Sequence, residues 1–130
     1  MTGASQRPLN ATDAIQPVGG YAQAVEVSNA QRLLFISGQI PMRADGTLPA
    51  TFQEQARVAW ANVEAQLRAA GMTFDNLVKV TIFLADRAHG LDNRAIRREM
   101  TGDRPIALTV IISGIFDAAW LLEIEAVAVV

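Results

Sequence analysis

The stretch from Thr51 to Gly71 limits the fold of this chain more than any other. Thr51, followed three residues on by Glu54, is a helix-capping pair, and Phe52, Ala56, Ala59, Trp60, Val63 and Leu67 then recur at helical spacing. Gly71 supplies the stop. A helix with one apolar stripe cannot bury that stripe by itself, so it must lie on a second layer. Strands for that layer read on both sides of it. Leu33-Leu34-Phe35-Ile36-Ser37, closed by Gly38 and Pro41, is short and apolar and predicts a buried central strand. Val78, Val80, Ile82 and Leu84 share one face of a strand over 78–84. Two more strands are predicted over 105–112 and 121–130, parted by Ser113-Gly114 and a turn at Phe116-Asp117.

Upstream, Tyr21, Gln23, Val25 and Val27 alternate with Ala22, Ala24 and Glu26, which suits a strand with one small-residue face. Residues 1–20, with Pro8, Pro17, Gly19 and Gly20, read as an arm or a short edge strand. A shorter basic helix starts at Asp92 and runs to the neighbourhood of Met100. Two strands, helix, strand, helix, two strands predicts an α+β fold, with a mixed sheet carrying both helices on one face, in a single domain over 1–130. The helix-free face of such a sheet needs another subunit to cover it. Composition supports that reading: 51% of the 130 residues are hydrophobic and 18% charged, more apolar surface than one small core absorbs.

Chemistry is narrowed by what the chain lacks. With no cysteine and a single histidine, His89, it has no disulfide framework, no thiol nucleophile, no Fe–S cluster and no Cys/His zinc site. A serine triad would need His89, which sits in a loop-like Arg-Ala-His-Gly stretch, and Schiff-base chemistry would rest on Lys79 alone. A net charge of −2 makes nucleic acid a poor partner. Neither a secretory start nor an apolar run long enough to cross a membrane is found, which predicts a cytoplasmic protein with no membrane partner.

Four features could carry chemistry. Glu123 and Glu125 stand two apart in an apolar strand and leave the same face, either as a solvated pair or with one carboxylate in an interface cleft suited to holding a water. Ser37-Gly38-Gln39-Ile40-Pro41 ends a buried strand with a glycine able to present backbone N–H groups to an anion, or is a plain turn. Arg94, Arg97 and Arg98, with Arg104 nearby, form a basic patch that reads as a solvated face paired with acids. Tyr21, the only tyrosine, opens a strand and packs there with its hydroxyl at the surface.

Taken together, Pro17-Val18-Gly19-Gly20-Tyr21-Ala22-Gln23-Ala24-Val25, Phe35-Ile36-Ser37-Gly38-Gln39-Ile40-Pro41, Val78-Lys79-Val80-Thr81-Ile82-Phe83-Leu84 and Glu123-Ile124-Glu125-Ala126 resemble the RidA (YjgF/YER057c) family over nearly the whole chain. The resemblance implies a chorismate-mutase-like fold, homotrimers with their sheets facing an inner barrel, and small-ligand clefts between subunits. It also implies hydrolysis of 2-imino or enamino acids to 2-oxo acids and ammonia without metal or cofactor. By that resemblance Glu123 holds the attacking water, Ser37 and Gly38 line the pocket, Tyr21 forms part of its wall, and Asn93 matches an asparagine that opens the second helix.

One departure stands out. Where the family's deaminases carry a carboxylate-gripping arginine, this chain reads Arg104-Pro105-Ile106-Ala107-Leu108-Thr109-Val110. Aligned on Pro105 the arginine position falls on Ala107; counted back from Glu123 it falls on Leu108, and Thr109 follows. Neither can bind an anion, which leaves Arg104 as the substitute anchor to test. Glu99-Met100, where relatives carry aromatics, is a second departure at the pocket rim. Three functions stay open at this stage: an imine deaminase, a small-ligand-binding trimer that does not turn over, and an RNA-cleaving relative.

Overall fold

The computed structural model describes residues 4–130. Six strands and two α-helices follow in the order β1 (Ser5–Leu9), β2 (Ala24–Ser28), β3 (Leu33–Gln39), α1 (Phe52–Ala69), β4 (Leu77–Leu84), α2 (Gly90–Thr101), β5 (Ala107–Ile112) and β6 (Leu122–Val129). The main sheet has the order β3-β6-β4-β5, with β4 and β5 parallel and the other neighbours antiparallel. That is the mixed α+β sheet expected.

The amino-terminal region differs from expectation. β1 and β2 pair antiparallel as a separate two-stranded sheet, joined to the main sheet by a parallel bridge from Ala22 to Ala107. β1 is the short edge strand, one of the two readings of residues 1–20, and Pro8 sits in it opposite Val25, where an edge strand tolerates a missing N–H. The strand predicted from Tyr21 starts only at Ala24, so Tyr21 lies in the approach loop rather than opening β2.

Helix α1 forms as its sequence dictates. The Thr51 side chain accepts from the Glu54 N–H at 3.2 Å, and Gly71, at φ 72°, closes the carboxyl end with its N–H on the Arg68 carbonyl. Its stripe packs on the inner faces of β4 and β6, where Val80, Ile82, Leu84, Leu122, Ile124 and Ala126 are buried. A register shift between Leu77 and Lys79 puts Leu77, not Val78, into that core, since one inserted residue reverses the facing of what precedes it. Trp60 is fully buried, edge-to-face with Phe74 at 6.0 Å. Trp60→Ala should therefore cost about 3–5 kcal/mol, read as a fall in the urea midpoint. A cost under ~1 kcal/mol would mean the site collapses around the smaller side chain.

Polar side chains in α1 position the loops. Asn62 Nδ2 donates to the carbonyls of Ile40 and Met42, both at 2.9 Å, and so holds the chain leaving β3. Buried Gln55 donates to the carbonyls of Pro49 and Ala119 and accepts from the Leu121 N–H, which fixes the start of β6. Helix α2 begins two residues earlier than expected. A 3-10 turn over Arg87–His89, capped by Asp86 on the Ala88 N–H at 2.8 Å, runs directly into it. His89 is stacked on Phe52 at 4.4 Å, which places the only histidine in a packing role.

Candidate functional site

In β6 the predicted alternation holds: Leu122, Ile124, Ala126 and Ala128 are buried towards the helices, and Glu123 and Glu125 leave the other face. The two acids nevertheless have different surroundings. Glu125 pairs in register with Thr81 and lines a shallow depression with Ser37, Lys79 and Phe35. Lys79 Nζ donates to Thr109 Oγ1 at 2.9 Å and to Thr81 Oγ1 at 3.1 Å; burial pushes its pKa down, opposed by the charge of Glu125. Ser37 and Thr109 therefore belong to the helix-free face, which also exposes Phe35 at 74% of its area.

Glu123 lies at the next pair along, opposite Phe83. Between Ile36 and Gln39 the β3–β6 register shifts, so that three steps along β3 match two along β6. This bulge carries Ser37 and Gly38 out of the ladder. A Cβ added at Gly38 would overlap the Glu123 carboxylate and lie 2.7 Å from its Cδ. The space that a side chain at 38 would fill is thus taken by the Glu123 carboxylate.

A second group lies on the helix side. A cavity of about 560 Å³ runs between α2 and the loop before β2, lined by Tyr21, Asn93, Leu108 and the three arginines Arg87, Arg94 and Arg97. Of the two candidate positions for the absent strand arginine, Leu108 lines this cavity. Ala107 is in register with Lys79 and Val127 on the opposite face. The sequence-predicted residues therefore fall into two sets within one chain. Tyr21, Asn93 and Leu108 are together; Glu123 with Gly38 stands on the far side of the sheet, where Ser37 and Thr109 lie on its two opposite edge strands, β3 and β5.

Two expectations about arginines meet different surroundings. Arg104 is tied to Asp75, Nε to Oδ1 at 2.7 Å, and donates from Nη1 to the Thr101 carbonyl, so to serve as an anchor it would first have to give up that partly exposed pair. Arg104→Ala should leave ligand affinity within about twofold, since a mostly exposed ion pair contributes little beyond its own contact. A loss of tenfold or more in calorimetric titration, on the order of 1.4 kcal/mol, would restore it as the anchor. The patch on α2 is not a uniformly solvated face either: Arg98 pairs with Asp103, but Arg97 is only 6% exposed. Arg97 Nη2 donates to the Gly19 carbonyl at 2.7 Å. Burial, with Arg98 and Arg94 close by, holds its pKa below the ordinary arginine range.

Among the described residues no group of three or more His, Cys, Asp or Glu side chains could hold a metal ion, and no helix is long and apolar enough to cross a membrane.

A mixed four-stranded sheet carrying two helices is the fold that this chain shares with Rid family proteins. A family model described as Endoribonuclease L-PSP matches residues 11–130, and the chain belongs to this family, that of RidA (YjgF). It is 44% identical to a RutC family protein of Aquifex aeolicus over 81 residues, and spans 62% of that relative's length and of its own. In structure it resembles the Rid family protein YyfB of Yersinia pestis at 27% identity and a TM-score of 0.83, covering 96% of this chain and 98% of that one. It is also similar to Escherichia coli TdcF with bound serine, at 29% identity and a TM-score of 0.70, covering 95% and 98%.

Proposed function

We propose that this chain is a cytoplasmic homotrimer that hydrolyses reactive 2-imino or enamino acids to 2-oxo acids and ammonia, without metal or cofactor. The observation that carries this reading is the Glu123 carboxylate seated over Gly38 at the bulge of β3, where it is half-buried while Glu125, two residues on, is exposed. The name given to TdcF proposes reactive intermediate deamination, and serine bound to that protein carries the same carboxylate and 2-nitrogen as an imino acid. The division of site residues between two faces fits a cleft closed by a second copy. One copy brings Tyr21, Asn93 and the basic cavity; its neighbour brings Glu123, Ser37 and Gly38.

In the proposed reaction Glu123 orients a water and takes its proton as the oxygen attacks C2 of the imine. The electron pair of the C=N bond moves to nitrogen, and Glu123 returns the proton there, giving a neutral aminol. Glu123 next removes the hydroxyl proton and passes it to the amine. The C–N bond breaks, ammonia leaves, and the C=O of the 2-oxo acid forms with the carboxylate regenerated.

Leu108, one of the two candidate positions for the arginine of the family's deaminases, lines the cavity without a charge and favours a second reading in which the trimer binds a small organic acid without efficient turnover. An RNA-cleaving function has less to rest on, because the only histidine is stacked on Phe52 and no acid–base pair of imidazoles exists. The deciding assay generates 2-iminobutyrate in situ with an amino-acid oxidase and follows ammonia release. Acceleration above the buffer rate at micromolar protein is expected; its absence would leave the binding reading. Light scattering should give three times the 14.0 kDa chain mass, and a monomer would contradict the shared cleft.

A further inference from the structure

The cavity beside α2 holds more positive charge than its surroundings neutralise. Arg87, Arg94 and Arg97 all line it and no Asp or Glu does. Among the described residues the ion pairs join Arg7, Arg57, Arg68, Arg98 and Arg104 to acids, and none of the three cavity arginines is included. Arg97 is the telling one. A guanidinium offers five N–H donors, yet the contact found for this buried side chain is the single bond to Gly19. Burying an unpaired charge is costly unless a counter-ion joins it, and burial accordingly depresses its pKa.

The loop is shaped to leave that charge open to the cavity. Gly19 and Gly20 both adopt positive φ, at 107° and 82°, a region that side chains rarely enter. A Cβ at Gly19 would lie 3.4 Å from Arg94 Nε and 3.6 Å from Arg97 Nη2, so the glycine lets the backbone lie against both arginines. On the same helix, one turn before Arg97, Asn93 is buried with Oδ1 lacking any hydrogen-bond partner. The cavity thus presents cationic donors and an unsatisfied acceptor together, in a volume typical of small-molecule sites.

We propose that this cavity binds 2-imino or 2-oxo acids bearing a second anionic group, with Arg97 gripping the carboxylate in place of the missing strand arginine and Arg94 and Arg87 receiving the side-chain anion. The preference for a dianionic acid rests on the deaminase reading only for turnover; binding stands by itself. Leu108 contributes an apolar wall from β5, so the cavity's charge comes from α2 and the turn before it instead.

The test uses stable product analogues on the full chain. By calorimetry, 2-oxoglutarate should bind at least about tenfold more tightly than 2-oxopentanoate, which has the same carbon chain without the second carboxylate. Arg97→Met should weaken 2-oxoglutarate about thirtyfold or more, and Arg97→Lys should recover part of the loss. Because Arg97 also braces Gly19, the wild-type chain supplies a readout independent of folding. On adding 2-oxoglutarate, the Nε–H resonances of Arg94 and Arg97 should shift, while those of Arg57 and Arg104, held by Glu99 and Asp75, should not. Equal affinity for the two acids, or shifts confined to arginines outside the cavity, would overturn the proposal. Ammonia release that survives such a result would leave the deaminase reading intact. Dianion binding through Arg97 without ammonia release would sink that reading alone.

Discussion

Glu123→Gln should lower the turnover of 2-iminobutyrate by about 10²–10⁴-fold, the range found when a positioned general base is removed. The amide keeps the size and shape of the carboxylate but has no lone pair basic enough to take the proton of the attacking water. Its urea midpoint should stay near that of the parent, because Glu123 leaves the helix-free face of β6 and makes no ion pair among the described residues. Glu125→Gln is the matched control: the same change two residues away, beside Lys79 rather than Gly38. A loss under tenfold for Glu123→Gln, or an equal loss for Glu125→Gln, would remove Glu123 from the role of base; tenfold corresponds to about 1.4 kcal/mol in the barrier.

The two acids show how far residue spacing reaches. Alternation alone places Glu123 and Glu125 on one face of a strand, and the structure agrees. What separates them is the bulge at Ser37-Gly38, which depends on how β3 meets β6 across 86 residues of chain from Ser37 to Glu123, and no local pattern encodes that pairing. The long helix was legible for the opposite reason: its cap, stripe and stop are all local. The early edge strand was legible as one of two readings, since the missing N–H of Pro8 matters inside a sheet but not at an edge, whereas its pairing with β2 across 14 intervening residues had no local signal.

The arginines were the least legible part. Arg104 and Asp75 meet only through the fold, so Arg104 looked available beside the strand where an anchor was missing. Arg97 was grouped with Arg94 and Arg98 as a solvated patch, yet a signal was present. It follows Ile96 directly and stands four residues after Asn93, on the side that α2 turns inward. A helical count through Asn93, Ile96, Arg97 and Thr101, all buried, would have separated it from Arg94 and Arg98.

Gly38→Ala should abolish most of the activity while leaving the fold in place, and it tests the same carboxylate from the other side. Gly38 does not need positive φ, so alanine is not excluded by backbone strain there. The obstacle is the neighbour. The added methyl meets the carboxylate, Cδ and Cγ of Glu123, the last at 2.9 Å, so rotation of the terminal oxygens alone cannot clear it. The whole side chain must swing away, and a base displaced by an ångström or more loses about 10²-fold in rate even with its chemistry intact. Stability should change by no more than about 1–2 kcal/mol, because the displaced group lies outside the helix-packed core. Combining the two changes supplies the decisive comparison. If alanine acts by moving Glu123, Gly38→Ala adds almost nothing to Glu123→Gln, since a base already removed cannot be displaced again. Full additivity of the two losses would mean that Gly38 serves the reaction by a separate route, such as a backbone N–H donated to the ligand.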